Sequence, residues 1–172
     1  MKKSVLVLLT LAAAGLAAYL FFDMNKHNEK VTDPDITGYI MQIEGKQALV
    51  VGKNEDFYNA AWITIPAFKK VSPGEYVKVK FTGPVNESFP LQADEVNIET
   101  AKAEKPSGAS ITQEEALRSV LKEVGKKELL GVHNIEYLPD FAQWSVVLQP
   151  IAASSQEAGQ MEFLIDDSTG KD

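Results

Sequence analysis

The chain has 172 residues, contains no cysteine and carries a formal net charge of −7. Without cysteine it can form neither disulfides nor a lipid-modified cysteine anchor. The acidic balance argues against nucleic acid and anionic membrane surfaces as partners, because both select clustered Lys or Arg. About 150 residues follow an apolar N-terminal segment, which is enough for one medium domain or two small ones.

The N-terminus has two lysines followed by an uncharged, mostly apolar run at residues 4–22. As a helix this run would span about 28 Å at roughly 1.5 Å per residue, close to the hydrocarbon thickness of a bilayer. The lysines favour an orientation that leaves the rest of the chain outside the cytoplasm. Residues 1–22 are therefore predicted to be a single-pass membrane anchor, or a signal peptide cleaved after residues 12–14 so that the protein is secreted. A buried helix of a cytosolic domain is the third alternative, and the polar residues 23–35 are predicted to form a stalk.

Residues 36–100 have the pattern of short strands joined by glycine and proline turns. Val77 and Val79 alternate with lysines, as expected when one face of a strand is buried and the other is exposed to solvent. The turn at residues 72–74 combines a proline that presets φ with a glycine that accepts positive φ. Five such strands predict a small, partly open β-barrel of the oligonucleotide/oligosaccharide-binding (OB) type.

A linker at residues 101–109 precedes a different pattern in residues 110–172. Thr112 and Glu115 form a capping box, a helical apolar face follows, and Gly125 ends the helix. Three alternating segments then predict strands, and their central apolar residues are Ile135, Val146 and Phe163. The predicted fold class is α+β: a membrane helix, a five-stranded OB-like barrel, and a helix with a three-stranded antiparallel meander. The pattern leaves open whether the two domains pack together.

Three motifs lie in the first domain: Gly38-Tyr-Ile-Met, Asn59-Ala-Ala-Trp-Ile63 and Gly83-Pro-Val-Asn-Glu-Ser-Phe-Pro90. Over roughly residues 36–100 the chain resembles the DUF3221 family of exported Bacillus-type proteins, which is largely uncharacterised. Many members of that family carry a lipid-modified cysteine. Its absence from this chain supports the N-terminal helix as the anchor.

Two further motifs lie in the second domain, Ile111-Thr-Gln-Glu-Glu-Ala-Leu117 and Phe163-Leu-Ile-Asp-Asp-Ser-Thr-Gly-Lys171. Over roughly residues 110–172 the chain looks like a PepSY domain. The resemblance implies a role in restraining a peptidase or in contacts within the cell envelope, since PepSY domains occur in peptidase propeptides and envelope proteins. Neither resemblance supplies catalytic residues.

The chemistry-bearing residues give no catalytic or metal-binding pattern. The chain has two histidines, His27 and His133, and a Ser-His-Asp triad would need His133 with Ser145 or Ser119. No nucleophile-elbow glycines flank these serines, and zinc would need three or four His, Cys or acidic ligands. We therefore predict no enzyme activity, no cofactor and no metal. Residues 166–170 are predicted to form a turn in which Asp and Ser side chains bond nearby amides.

The predicted ligand-binding residues lie on one strand and one loop of the barrel: Asn59, Trp62, Glu87 and Phe89. Loop residues at the rim of an open barrel form a groove for extended ligands, and Trp62 could stack on a sugar or peptide group. The alternative is that Trp62 packs against the second domain or against neighbouring aromatic residues.

Two functions follow from these patterns. In the first, the chain is a non-enzymatic, membrane-tethered extracytoplasmic protein that binds another envelope protein. A peptidase that it modulates is the candidate partner. A partner strand adding to an exposed sheet edge would supply the contact. The alternative is a binding module for a small ligand or a cell-wall glycan at the barrel rim.

Overall fold

The computed structural model describes residues 31–55, 57–101, 105–125, 128–151 and 159–168. The predicted membrane segment, residues 1–22, lies outside these ranges, and the described part contains no helix long and apolar enough to span a bilayer. The last residues of the predicted stalk are held on the folded part. The Val31 amide donates to Glu99 Oε2 at 2.8 Å, and the Asp35 amide donates to the Val79 carbonyl at 2.9 Å.

The first sheet has seven strands: β1 (Ile36–Glu44), β2 (Gln47–Asn54), β3 (Phe57–Thr64), β4 (Tyr76–Phe81), β5 (Val85–Asn86), β6 (Leu91–Ala93) and β7 (Val96–Thr100). Their order across the sheet is β5-β6-β3-β2-β1-β4-β7. Only Asp94 and Glu95 separate β6 from β7, although β6 pairs with β3 and β7 pairs with β4 on the other side of the sheet. Two linking residues reach about 10 Å at most, so the sheet curls until its two ends approach each other.

Two glycines allow β1 and β2 to approach closely where the sheet curls. A Cβ atom at Gly38 would overlap the Val51 carbonyl oxygen, and one at Gly52 would overlap the Thr37 carbonyl oxygen. Any side chain at either position would displace the backbone of the partner strand. The β1–β2 register also shifts between Ile40 and Gln42, and such an irregularity increases local twist.

The second region contains one helix, α1 (Gln113–Val124), and three strands: β8 (Leu130–Leu138), β9 (Gln143–Pro150) and β10 (Met161–Asp166). The sheet order is β10-β9-β8, with both pairs antiparallel. The predicted capping box is confirmed: the Thr112 hydroxyl accepts from the Glu115 amide, and the Glu115 carboxylate accepts from the Thr112 amide. Gly125 ends the helix with positive φ, as predicted.

The predicted fold class, α+β with a five-stranded OB-like barrel, is wrong. About half of the described residues lie in strands and the only described helix is short, so the protein is mostly β. The sequence prediction missed strands because β5 and β6 contain two and three residues, too few to show alternation. Pro84 and Pro90 next to these strands also read as breaks rather than as strand ends.

Two hydrophobic clusters form the core. The inner cluster lies inside the curled sheet, and its buried residues are Ile36, Ile40, Ala48, Val50, Ala61, Ile63, Val77, Val79, Ala93, Val96 and Ile98. The shared cluster combines Met41, Leu49, Val51 and Ala60 of the curled sheet with residues of the second region, including Ile111, Leu117, Val120, Trp144, Val146 and Leu148. Residues from Val31 onwards accordingly form one compact unit. The two predicted domain ranges contribute to one core cluster.

A glycine of β8 brings the two sheets together. A Cβ atom at Gly131 would lie 2.5 Å from two ring carbons of Tyr58 on β3 and 2.9 Å from Ile151 Cγ2. The Tyr58 hydroxyl donates to the Val132 carbonyl at 3.4 Å. The Tyr58 ring therefore lies close against the β8 backbone at Gly131, where any Cβ atom would collide with it.

Asp167 connects the end of β10 to the segment before the helix. Its carboxylate is buried and accepts hydrogen bonds from the Ser110 amide, from the Ile111 amide at 3.1 Å and from Trp144 Nε1 at 3.2 Å. Burial raises the pKa of Asp167, but these hydrogen bonds outweigh it and hold the pKa below its usual value. The neighbouring Asp166 accepts hydrogen bonds from the Ser168 amide and hydroxyl. These bonds agree with the turn predicted for residues 166–170, of which the structure describes residues 166–168.

Candidate functional site

A cleft of about 490 Å³ lies between the curled sheet, the first turn of α1 and β8. We call it the inter-sheet cleft. Its polar and aromatic lining comes from both regions of the chain: Thr37, Tyr39, Lys53, Tyr76, Gln113, Glu114, His133 and Asn134. Its size suits a small molecule or a few residues of an extended peptide.

Two tyrosines from adjacent strands form one wall of the inter-sheet cleft. Tyr39 and Tyr76 are paired in the β1–β4 register, and their ring centroids lie 4.8 Å apart in an edge arrangement with an interplanar angle of 62°. Gln113 Nε2 donates to the Tyr39 hydroxyl. Burial, followed by the neighbouring Tyr76, raises the pKa of Tyr39 to about 12. Tyr39 is therefore a neutral hydroxyl at physiological pH and serves as a hydrogen-bonding group.

The first turn of α1 supplies a carboxylate. Glu114 accepts a hydrogen bond from the Tyr76 amide, while its Oε1 atom is buried without a hydrogen-bond partner among the described residues. Burial raises the pKa of Glu114, and the nearby charge of Glu75 adds to it, against the lowering effects of the Tyr76 amide and Arg118. A buried acceptor without a donor is costly, which agrees with the raised pKa of this carboxyl group.

A lysine and a histidine also line the inter-sheet cleft. Lys53 Nζ on β2 lies 3.4 Å from His133 Nδ1 and 3.4 Å from the His133 carbonyl oxygen. The other ring nitrogen, Nε2, lies 3.2 Å from Gln160 Nε2. The His133 ring thus contacts Lys53 of the curled sheet through Nδ1 and Gln160, the residue before β10, through Nε2.

The serines considered for a triad have other partners. The Ser145 hydroxyl donates to Glu162 Oε1 at 2.7 Å, and the Ser119 hydroxyl donates to the Glu115 carbonyl at 3.1 Å. The described ranges contain no group of three or more His, Cys, Asp or Glu residues that could hold a metal ion. The cleft therefore offers hydrogen-bonding and charged groups to a ligand, and neither serine considered for the triad lines it.

The four predicted ligand-binding residues lie outside the inter-sheet cleft. Trp62 is half-buried on β3 and packs against the shared cluster, next to Leu49 and Gln92 in the register. Asn59 lies three residues earlier on the same strand, so alternation directs it to the opposite face. Glu87 and Phe89 are exposed in the loop between β5 and β6. The structure thus places Asn59 and Trp62 on different faces, and binding at the rim stays a prediction.

Sequence reasoning missed Tyr39, Lys53 and Glu114 as site residues. Tyr39 and Glu114 lie in the Gly38-Tyr-Ile-Met and Ile111–Leu117 motifs, but neither motif indicates ligand binding by these side chains. Lys53 has no distinctive motif around it. They meet because β8 and α1 pack on the outer face of β1 and β2, which local pattern cannot show. Comparison with protein-family models, curated proteins and solved structures gives no significant match. The resemblances to DUF3221 and to PepSY domains therefore stay hypotheses.

Proposed function

We propose that the chain is a non-enzymatic binding protein that holds a small polar ligand in the inter-sheet cleft. The observation that supports this proposal is that a basic residue, Lys53, and an acidic residue, Glu114, both line the cleft. A ligand with both a negative and a positive group, such as an amino acid or a short peptide, complements this arrangement. The Tyr39 hydroxyl lies on the same surface and adds a neutral hydrogen-bonding group.

A thermal-shift screen of amino acids, short peptides, amino sugars and simple carboxylates tests the proposal. A ligand at about 100 times its dissociation constant stabilises the folded state by about 2.7 kcal/mol, which raises Tm by about 5 °C or more. Glu114→Gln and Lys53→Ala should each abolish the shift. Lys46→Ala, in the exposed β1–β2 turn, should preserve it. A screen without hits, or hits unaffected by the Glu114 and Lys53 substitutions, contradicts binding in the cleft.

The second candidate function is that of a membrane-tethered protein that binds a partner protein. In this proposal residues 4–22 hold the chain at the membrane, or are cleaved to release it, and the folded part binds another envelope protein, with a peptidase as the candidate. Exposed apolar side chains on the second region, Phe141 and Leu164, favour a protein partner. Crosslinking in intact cells with a tagged full-length chain, followed by mass spectrometry, would identify it.

Point variants are needed in that experiment. Deleting residues 110–172 would expose the shared cluster residues Met41, Leu49 and Val51 of the curled sheet, so loss of capture would follow from unfolding alone. A reproducible envelope peptidase, captured by the wild type and lost on substitution of Leu164, supports the partner candidate. Absence of any reproducible envelope protein contradicts it.

A further inference from the structure

Strand β10 has one paired edge and one open edge. It pairs with β9 alone, and no described strand lies on its other side. The Asp167 amide donates to the Ala142 carbonyl at 3.0 Å. Asp167 and Ala142 are therefore a hydrogen-bonded pair in the continuation of the β9–β10 register. Because alternate residues of an antiparallel strand bond to the same neighbour, Phe163 and Ile165 bond to β9. The amides and carbonyls of Glu162 and Leu164 then point to the open edge.

The outer face of the three-stranded sheet is acidic. Strands β8, β9 and β10 contain no Lys or Arg, while Glu136, Glu162 and Asp166 lie on the outer face by alternation and register. Leu164 lies between the last two and is 57 % exposed. The Ser145 hydroxyl holds the Glu162 carboxylate on this face. The face therefore complements positive charge along the open edge.

The other face of β10 is apolar. Phe163 and Ile165 are half-buried and pack against the shared cluster. A strand added to the open edge would continue this apolar layer with every second residue and place the intervening residues beside Glu162 and Asp166. Such addition also satisfies the backbone groups of Glu162 and Leu164, which is how extended peptides bind open sheet edges.

We infer that the open edge of β10 binds an extended segment of a partner protein in which Lys or Arg alternates with apolar residues. The inference rests on the partner-protein candidate and is independent of the inter-sheet cleft. A second copy of this chain fits poorly at the same edge. Antiparallel pairing centred on Leu164 would place Glu162 opposite Asp166, and like charges directly opposite destabilise a strand pair.

The probe is the capped peptide acetyl-Lys-Val-Lys-Val-Lys-Val-Lys-amide, and its control has Glu at every Lys position. We expect the lysine peptide to bind and the glutamate peptide not to bind. At saturation, amide hydrogen exchange at Glu162 and Leu164 should slow by about tenfold or more, because both amides acquire hydrogen bonds. Amides of Phe163 and Ile165 already bond to β9, so their exchange should change less.

Two substitutions test the chemistry of the edge. Leu164→Lys places a cation on the outer face and should weaken binding of the lysine peptide by about tenfold. Glu162→Gln, which keeps an acceptor for Ser145, should weaken it by a smaller factor. Phe57→Lys is the matched control, because Phe57 is 58 % exposed on the curled sheet, and it should bind like the wild type.

Three results would overturn the inference. The first is that the lysine peptide does not bind. The second is that it binds but leaves amide hydrogen exchange at Glu162 and Leu164 unchanged. The third is that exchange at these amides slows when the protein concentration alone is raised, which indicates self-association. Leu164→Lys leaves the inter-sheet cleft intact, so loss of peptide binding with retained small-ligand binding separates the two proposals. Failure of the cleft screen likewise leaves the β10 result unaffected.

Discussion

The inner cluster and the shared cluster are built from the same β2 strand, yet they depend on different parts of the chain. Ala48 and Val50 face the inner cluster, and Leu49 and Val51 face the shared cluster, so β2 is buried on both faces. The inner cluster comes from residues 36–98 alone. The shared cluster exists only because the helix and β8 cover the outer face of the curled sheet. The comparison shows that the second region completes the core of the first.

The two tryptophans report the unfolding of the two regions separately, since Trp62 belongs to the curled sheet and Trp144 to the three-stranded sheet. Single-tryptophan variants, Trp62→Phe and Trp144→Phe, allow each region to be followed by fluorescence during urea unfolding. We expect coincident transitions, because exposing the shared cluster destabilises both regions together. Each variant below is followed by the fluorescence of the tryptophans that it retains.

The largest effect is expected from Asp167→Ala. Two buried donors, the Ile111 amide and Trp144 Nε1, and the part-buried Ser110 amide would lose their acceptor. Each unsatisfied buried donor costs about 1–3 kcal/mol. We expect the free energy of unfolding to fall by about 3 kcal/mol or more. Asp166→Ala is the adjacent control, and its expected loss is much smaller because Asp166 is exposed and its hydrogen bonds to Ser168 lie within its own turn. Equal effects of the two substitutions would contradict the assigned role of Asp167.

Gly131→Val should break the contact between the sheets. The added side chain would collide with the Tyr58 ring, and overpacking of this kind costs about 1–3 kcal/mol. Unfolding curves of the variant and of the double substitution with Tyr58→Ala form the test. The second change makes room, so the double variant should be more stable than the sum of the two single losses indicates. Strict additivity would show that the ring does not lie on β8.

Trp62→Ala distinguishes packing from ligand binding at the rim. Since Trp62 is half-buried against the shared cluster, we expect a loss of about 2 kcal/mol, roughly half the cost of a fully buried tryptophan. Phe89→Ala, in the exposed loop, should change stability by about 0.5 kcal/mol at most. A Trp62→Ala variant of unchanged stability that loses binding of a glycan or peptide would instead favour the rim site.

The smallest expected effect is the contribution of Asp167 to the pH dependence of the unfolding free energy. Its folded pKa lies below the unfolded value of about 3.9, so its stabilisation is complete above that pH and is lost as the pH falls through the folded pKa. The difference in unfolding free energy between the wild type and Asp167→Asn should therefore be constant near neutral pH and shrink below about pH 4. A difference that grows on acidification would show that the pKa is raised.

Local pattern predicted those elements whose signals lie within a few residues. The capping box at Thr112, the helix end at Gly125 and the strands around Ile135, Val146 and Phe163 are all present, because caps and alternation act through neighbours. The count of strands in the curled sheet was wrong where strands were too short to alternate. The predicted site residues were chosen on one strand and one loop, and alternation places Asn59 and Trp62 on opposite faces.

The sequence by itself determined the local elements and the acidic balance. Only the tertiary structure decided what covers β2 on its second face, where the inter-sheet cleft lies and which strand edge stays open. These features depend on contacts between residues about 70–90 positions apart, such as Tyr58 with Val132 and Gln42 with Glu128. Such contacts follow from how whole surfaces fit together, and no short stretch of sequence carries that information.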